Sequence, residues 1–453
     1  MDAIATRNSV IDELVGQVAV EDPFDYSYAD ILPKQLEAID AQFQDKLGKI
    51  KLLANRAEEG GVSAVNSMED LVPLLFAHTA YKSYPESWLM EGKWDRMGKW
   101  LDTVSTNRVP KMDTSGVANL DEWLGLLEEH DHYVSCSSGT TGKCAMMNAV
   151  KSDLEFCGDA LLQAIKWSKI PVAQDALILS CGQVASTPRN KATGAPMYAH
   201  IADPTVTPIL PDAPPITIGG ITEMVVLRKK IADGTATPGD IAYYEEQAAT
   251  REASIESVTE QAVEAFIANR DRKLHVTGML GQMYQVAARL RDRGYTAKDF
   301  QENTTFISGG LKRVQVPDNY WDIIFDTFNI TRERVCHSYG MQECNTTSVR
   351  CSHHRYHLAP WQMLLILDES GENLIPIPQS GEIEGRAAFF DLSMEGRWGG
   401  VISGDKITAT WDTCGCGRSS PSVGEDIQRY ADMASGDKIA CSGTIDAYVR
   451  GVT

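Results

Sequence analysis

The sequence predicts an α/β chain: a mostly parallel sheet with helices on its faces, a helical N-terminal part before it and a small β-rich subdomain after it. Three observations point there. Short apolar runs at 176–181 and 273–277 fit buried strands, and the second passes straight into a helical pattern over 280–291. Strand–helix repetition of this kind belongs to parallel sheets. Leu36, Ile39, Phe43, Leu47, Ile50 and Leu53 recur at three- and four-residue steps, which aligns them along one face of a helix over 33–56. After Pro360 the strand-like runs 363–367 and 382–388 are broken by Gly371, Pro376 and Pro378, a pattern of short strands and turns.

In chain order, Gly60-Gly61 ends the first helix. Ser67 followed by Glu69 and Asp70 starts another, its hydroxyl and early carboxylates satisfying free N–H groups and the helix dipole. Tyr133-Val134 is a short strand lead-in. Pro188, Pro196, Pro204, Pro208, Pro211, Pro214 and Pro215 stand between 187 and 215, so an ordered loop able to cover a pocket is expected there rather than a long regular element. Ile255, Val258, Ala262, Val263 and Phe266 sit at helical spacing over 254–269, a core stripe. The chain thus divides into a helical part at 1–130, an α/β part at 131–345, a β-rich subdomain at 346–440 and a stub at 441–453.

With 453 residues and 43% hydrophobic content, the chain can bury a large core. Its 62 Asp and Glu against 42 Lys and Arg, a net charge of −20, argue against a footprint for nucleic acid or anionic membrane. Neither a signal peptide nor a membrane-length apolar stretch is present, so a soluble, cytoplasmic protein is expected. Ten cysteines without a secretory signal are expected to be thiols or metal ligands. Cys136, Cys144, Cys157, Cys181, Cys336 and Cys441 sit singly among small or apolar residues, as buried thiols do.

The most telling stretch is Ser137-Ser138-Gly139-Thr140-Thr141-Gly142-Lys143, small and uncharged until it closes on one cation. Glycines let the backbone approach an anion, hydroxyls and amides can donate to its oxygens, and Lys143 adds a point charge. A solvated turn has the same composition. The Walker-type loop is excluded, because only Thr140 and Thr141 separate Gly139 from Gly142.

Four motifs then follow in order: Ser138-Gly139-Thr140-Thr141-Gly142-Lys143, Ser308-Gly309-Gly310, Ser338-Tyr339-Gly340-Met341-Gln342-Glu343 and Ser403-Gly404-Asp405. In that order they resemble the adenylate-forming acyl- and aryl-CoA ligase superfamily. Cys414-Gly415-Cys416-Gly417-Arg418, and a stretch over 68–85 similar to lead-in helices, make the phenylacetate-CoA ligase branch the best match. The resemblance implies the large domain of that fold, with nucleotide and acid held by 131–345. It implies ATP-dependent activation of an aryl or acyl carboxylate as its adenylate and transfer to a thiol, coenzyme A being the expected acceptor. A carrier-protein ligase and a non-catalytic nucleotide- or acyl-adenylate-binding protein stand as alternatives, and a homodimer is an open expectation.

By the same resemblance, Ser137 to Lys143 would follow the phosphates, with Thr140 and Lys143 catalytic, and Glu343 would hold magnesium through hard oxygen ligation. Tyr339 would stack on adenine beside Gly309, Gly310 and Gly340, Asp405 would accept both ribose hydroxyls, and Val276, Thr277, Gly278 and Met279 would line the acid pocket. Singly, Glu343 could equally be a capping acid, Tyr339 a core aromatic and Asp405 a turn residue.

Cys351, His353, His354, His357, Cys414 and Cys416 offer zinc ligands. Some members of the branch set a Cys-x-Cys-Gly-Arg segment against an upstream Cys and His, which selects Cys351, His357, Cys414 and Cys416, with His353 and His354 in reserve. Reduced cysteines in a turn are the plainer alternative.

Two departures stand out. Ser442-Gly443-Thr444-Ile445-Asp446 resembles the hinge, with Asp446 as pivot, after which the family's small lysine-bearing C-terminal domain is expected: either the sequence is a truncated form of a longer protein, or it is a variant that uses a separate partner or performs only part of the reaction. Thr444 stands where the family carries an arginine, and Arg418 is the candidate replacement at ribose and phosphate, although an ion pair would explain it equally well. Leu311 and Lys312 follow Gly309-Gly310 where an acid is usual.

Overall fold

A computed structural model describes residues 9–137, 143–170, 174–183, 186–308, 315–433, 436, 437 and 439. The strands run β1 (Phe76–Ala77), β2 (Tyr133–Ser137), β3 (Ala145–Ala149), β4 (Leu177–Ser180), β5 (Leu274–Thr277), β6 (Thr304–Ser308), β7 (Val335–Gly340), β8 (Thr347–Val349), β9 (Arg355–His357), β10 (Gln362–Leu367), β11 (Glu382–Asp391), β12 (Gly400–Thr410), β13 (Ser422–Gly424) and β14 (Gln428–Arg429). The chain forms two compact units, one from Met1–Gln163 with Met341–Thr453, the other from Ala164–Gly340.

The second unit is the expected parallel layer. β4, β5, β6 and β7 pair in parallel in that order, and the helices Pro238–Ala268, Leu280–Asp292 and Tyr320–Phe328 cover them. Val263, Phe266, Val276, Met283, Leu290 and Phe328 are among its buried core residues, and the Phe266 and Phe328 rings stack 4.5 Å apart. The stripe over 254–269 falls in the second half of the helix Pro238–Ala268, whose capping box joins Thr237 and Asp240. Val258, Ala262, Val263 and Phe266 are buried as expected, whereas Ile255 is 40% exposed and is not part of the core.

The first unit holds the β-rich part, a sheet ordered β10-β11-β12-β13-β9, with β1 and β14 also pairing to β12. β10, β11, β12 and β13 are antiparallel neighbours, whereas β1 joins β12 in parallel, Phe76 opposite Val401. The helix Tyr28–Lys46 seals this sheet with a row of buried polar groups. Gln35 Nε2 donates to the carbonyls of Pro360 and Gln362, each at 2.9 Å, Gln42 Nε2 to Leu392 O at 2.5 Å, and Lys46 Nζ to the carbonyls of Met394 and Arg397. Residues 35, 42 and 46 lie on one helix face, so this row stands beside the apolar stripe.

Three expectations are corrected. The helix expected over 33–56 starts earlier and breaks in two, Tyr28–Lys46 and Lys51–Gly60, with Gly48 in the break, where a weak helix former gives way. Gly61 caps the second piece at φ 63°. The proline-rich stretch contains a helix, Pro188–Ile201: Pro188 sits in the first turn behind the Thr187 cap and only Pro196 lies inside. Proline at a helix start removes no bond, and the remaining prolines follow the helix. The lead-in over 68–85 is a capped turn of helix at Met68–Leu71, 3₁₀ turns at Val72–Leu74 and Ala80–Lys82, and β1 between them. No described helix is long and apolar enough to cross a membrane.

Candidate active site and metal centre

β2 and β3 form an antiparallel hairpin with Ser137 opposite Ala145. Its connection is the hydroxyl-rich stretch, of which Ser138, Gly139, Thr140, Thr141 and Gly142 lie outside the described residues, as do Gly309, Gly310 and the hinge residues 441–453. At the loop's exit Lys143 Nζ donates to Tyr84 O at 2.8 Å and lies 5.6 Å from the centre of the Tyr84 ring. The Tyr84 hydroxyl donates back to Cys144 O at 2.8 Å. Lys143 and Cys144, which follow the loop, are thereby fastened to the segment 78–84.

The other end of that segment meets β12. His78 N donates to Ile402 O at 2.9 Å, just before Ser403-Gly404-Asp405, where Asp405 N donates to Ser403 Oγ at 3.1 Å and Arg429 Nε lies 3.7 Å from the Asp405 carboxylate.

The residues on either side of Glu343 are held by a network of buried groups. Arg397 donates to Gln342 O and to Asn148 O, each at 2.8 Å. Asn345 Nδ2 donates to Asp153 Oδ1 at 2.9 Å, and Thr346 N to Asp391 Oδ2 at 3.0 Å. Asp153, itself buried, also accepts from the amides of Val150, Glu395 and Gly396. Burial pushes the Glu343 carboxyl above the usual carboxylate range; Arg397 and Lys82 pull it back, and Asp405 pushes it further up. Glu343, Lys82 and Asp405 fall in one unit, and Lys82 belongs to the same segment that fastens Lys143. Tyr81, Lys82 and Arg397 carried no motif; a 3₁₀ turn beside a two-residue strand leaves no periodic signal.

The remaining site residues belong to the second unit. Val276 and Thr277 end β5, and Tyr339 and Gly340 end β7, the carboxyl ends where ligands meet parallel sheets. Gly278 takes φ +149°, with Cys181 Cβ 3.1 Å from where its own Cβ would lie, so a side chain would be strained there. Met279 is 44% exposed and precedes the helix Leu280–Asp292.

Cys351, His357, Cys414 and Cys416 come together, their ligand atoms all within 4.8 Å of one another. The Cys351 and Cys414 sulfurs are 3.9 Å apart and Cys416 Sγ lies 3.3 Å from His357 Nε2, spacings that suit a tetrahedral ion with zinc–sulfur bonds of about 2.3 Å. The turn is closed by Cys414 N to Arg418 O and Gly417 N to Cys414 O, each 2.8 Å, with Gly417 at φ +93°. Ser420 Oγ sits 2.8 Å from His357 Nδ1, leaving Nε2 for a metal, and burial pushes the imidazole down to about 4, so it is neutral as ligation requires. His353 and His354 lie outside this cluster: His353 packs on Gly415 and His354 faces Glu425 at 3.4 Å. Arg418 is engaged by Asp22, Nε to Oδ2 at 2.9 Å, the ion pair that was its alternative reading.

No family model and no curated protein matches the chain. Among solved structures, the chain is similar to a 2-hydroxyisobutyryl-CoA ligase in the postadenylation state in complex with R3-HIB-AMP, with TM-score 0.53, 14% identity, 91% of this chain and 70% of that chain covered. The open conformation of the same ligase, in complex with 2-HIB-AMP and CoA, gives TM-score 0.51 at 14% identity, covering 91% and 72%. The chain thus has the fold of adenylate-forming CoA ligases: helix-flanked parallel strands together with an antiparallel β-rich region.

Proposed function

We propose that the chain activates a small-molecule carboxylic acid with ATP, forming the acyl-adenylate and pyrophosphate, and passes the acyl group to a thiol, coenzyme A in the first instance. The observation that carries this reading is the fastening of Lys143, at the exit of the hydroxyl-rich loop, to the segment 78–84, whose other end is bonded to β12 just before Asp405. The likeness of fold to a ligase in complex with an acyl-adenylate supports it.

In this reading Asp405 accepts the ribose hydroxyls, Tyr339 lies against adenine beside Gly309, Gly310 and Gly340, and Val276 to Met279 line the acid pocket. The 137–143 loop and Lys143 follow the phosphates as negative charge moves to pyrophosphate. Glu343 is a hard oxygen ligand for magnesium, which when bound supplies charge neutralisation at the phosphates. Cys351, His357, Cys414 and Cys416 would hold a structural zinc; four protein ligands leave no open position, so its work is to pin β9 to the 414–418 turn.

Isotope exchange between pyrophosphate and ATP, measured across a panel of aryl and acyl acids, tests the function. Exchange dependent on one class of acid is the expected result. Nucleotide binding without exchange for any acid contradicts it and leaves a binding protein. Thioester formation with coenzyme A then separates the acceptor from a carrier protein.

A further inference from the structure

The Ser403-Gly404-Asp405 stretch departs from the ladder of its own sheet. Arg386 of β11 pairs with Lys406 and Ala388 with Ile402, so Ala387 alone stands opposite three residues of β12. A bulge re-aims side chains, but it also takes backbone carbonyls away from their strand partners, and a buried carbonyl must find another donor.

Arg386 supplies it. Its side chain is fully buried, and Nη1 donates to Ser403 O at 3.0 Å. Nε and Nη2 donate to Glu369 O at 3.1 and 2.9 Å, and Nη2 donates to Asp437 Oδ1 at 2.9 Å. The guanidinium lies 4.0 Å from the centre of the Tyr430 ring. His78 closes the group, its Nε2 3.6 Å from the other Asp437 oxygen and its ring packed against Gly404. A lysine could not reach these partners at once, because only the planar guanidinium presents a rigid fork of donors.

We propose that Arg386 is a positioning residue of the nucleotide site: it holds the bulge that aims Asp405, with Asp437 and Tyr430 holding Arg386 in turn. The inference rests on the reading of Asp405 as the ribose acid. Arg386 touches neither nucleotide nor acid; it acts on the carbonyl two residues before Asp405.

The test is calorimetric binding of ATP, 2′-deoxy-ATP and 3′-deoxy-ATP in magnesium chloride, for the unaltered chain and for Arg386→Lys, Asp437→Asn and Asp405→Asn. The unaltered chain should prefer ATP to either deoxy form by about tenfold or more, as expected for hydrogen bonds to a charged acceptor. Arg386→Lys and Asp437→Asn should lower that preference to less than about threefold, with little change in affinity for the deoxy nucleotides and with cooperative unfolding kept. Uniform weakening of all three nucleotides, with the preference intact, overturns the proposal and makes Arg386 merely structural. If Arg386→Lys does not fold, Asp437→Asn decides on the same readout. Loss of the preference in Asp405→Asn alone sinks the role of Arg386 and leaves the ribose reading standing. Full preference in Asp405→Asn, or no nucleotide binding by the unaltered chain, overturns the ribose reading and this inference with it.

Discussion

Glu343 and His275 show how single buried groups are governed by what surrounds them. A carboxyl lifted by burial is held charged at a cost, so Glu343→Gln should leave the thermal midpoint unchanged or slightly raised. The same substitution should lower acid-dependent pyrophosphate exchange in magnesium by about 100-fold or more, the scale of losing one charge-stabilising group; undiminished exchange contradicts the magnesium role. His275 is buried on β5 with Nδ1 2.8 Å from Thr304 Oγ1, and burial pushes its imidazole down to about 3. The unfolded chain takes up a proton there that the folded chain refuses. Stability from this group is therefore present above the ordinary histidine value of about 6.5 and is lost as pH falls towards about 3, roughly 2 kcal/mol between pH 7 and pH 5. His275→Gln should flatten that part of the stability curve, measured by urea midpoints at the two pH values, and an unchanged slope contradicts it. At this scale ordered motifs were what singled out Lys143, Glu343 and Asp405, which fall in one unit; their roles remain the proposal. Arg386, Arg397 and Asp153 were not legible, because their roles come from carbonyls and amides distant in sequence.

Among elements, the turn at Cys414–Arg418 and the loop after β7 are organised by different means. The turn needs only local backbone bonds and two further ligands, Cys351 and, from β9, His357, to complete its set. Cys414→Ser should lower bound zinc, read by elemental analysis, and lower the thermal midpoint, whereas His353→Gln should leave zinc content unchanged; full zinc in the Cys414 variant contradicts the centre. The loop carrying Glu343 depends instead on Asp153, whose carboxylate holds three backbone amides and Asn345. Removing it in Asp153→Ala leaves those donors buried and unpaired, a cost of about 3 kcal/mol or more by urea unfolding; a loss near zero contradicts the role of that network. Helix edges were the least legible elements. The stripe from Leu36 to Leu53 ran through a break that only Gly48 announced, and the prolines after Thr187 hid a helix because Pro188 falls where a helix start accepts it.

For the whole molecule, fold class was legible because strand–helix alternation in Ala164–Gly340 is a repeating local pattern. The other unit was less so: it joins the first 163 residues to those after 340, through pairings such as Phe76 with Val401 that leave no periodic trace. The site reading requires that one nucleotide engage acids brought together by that discontinuous unit. The most direct measurement is a crystal structure with magnesium and a non-hydrolysable ATP analogue. The account predicts ribose hydroxyls on the Asp405 carboxylate, a metal ion on Glu343 and phosphates turned towards Lys143. A nucleotide bound elsewhere, or Asp405 and Glu343 both out of contact with it, would contradict the account.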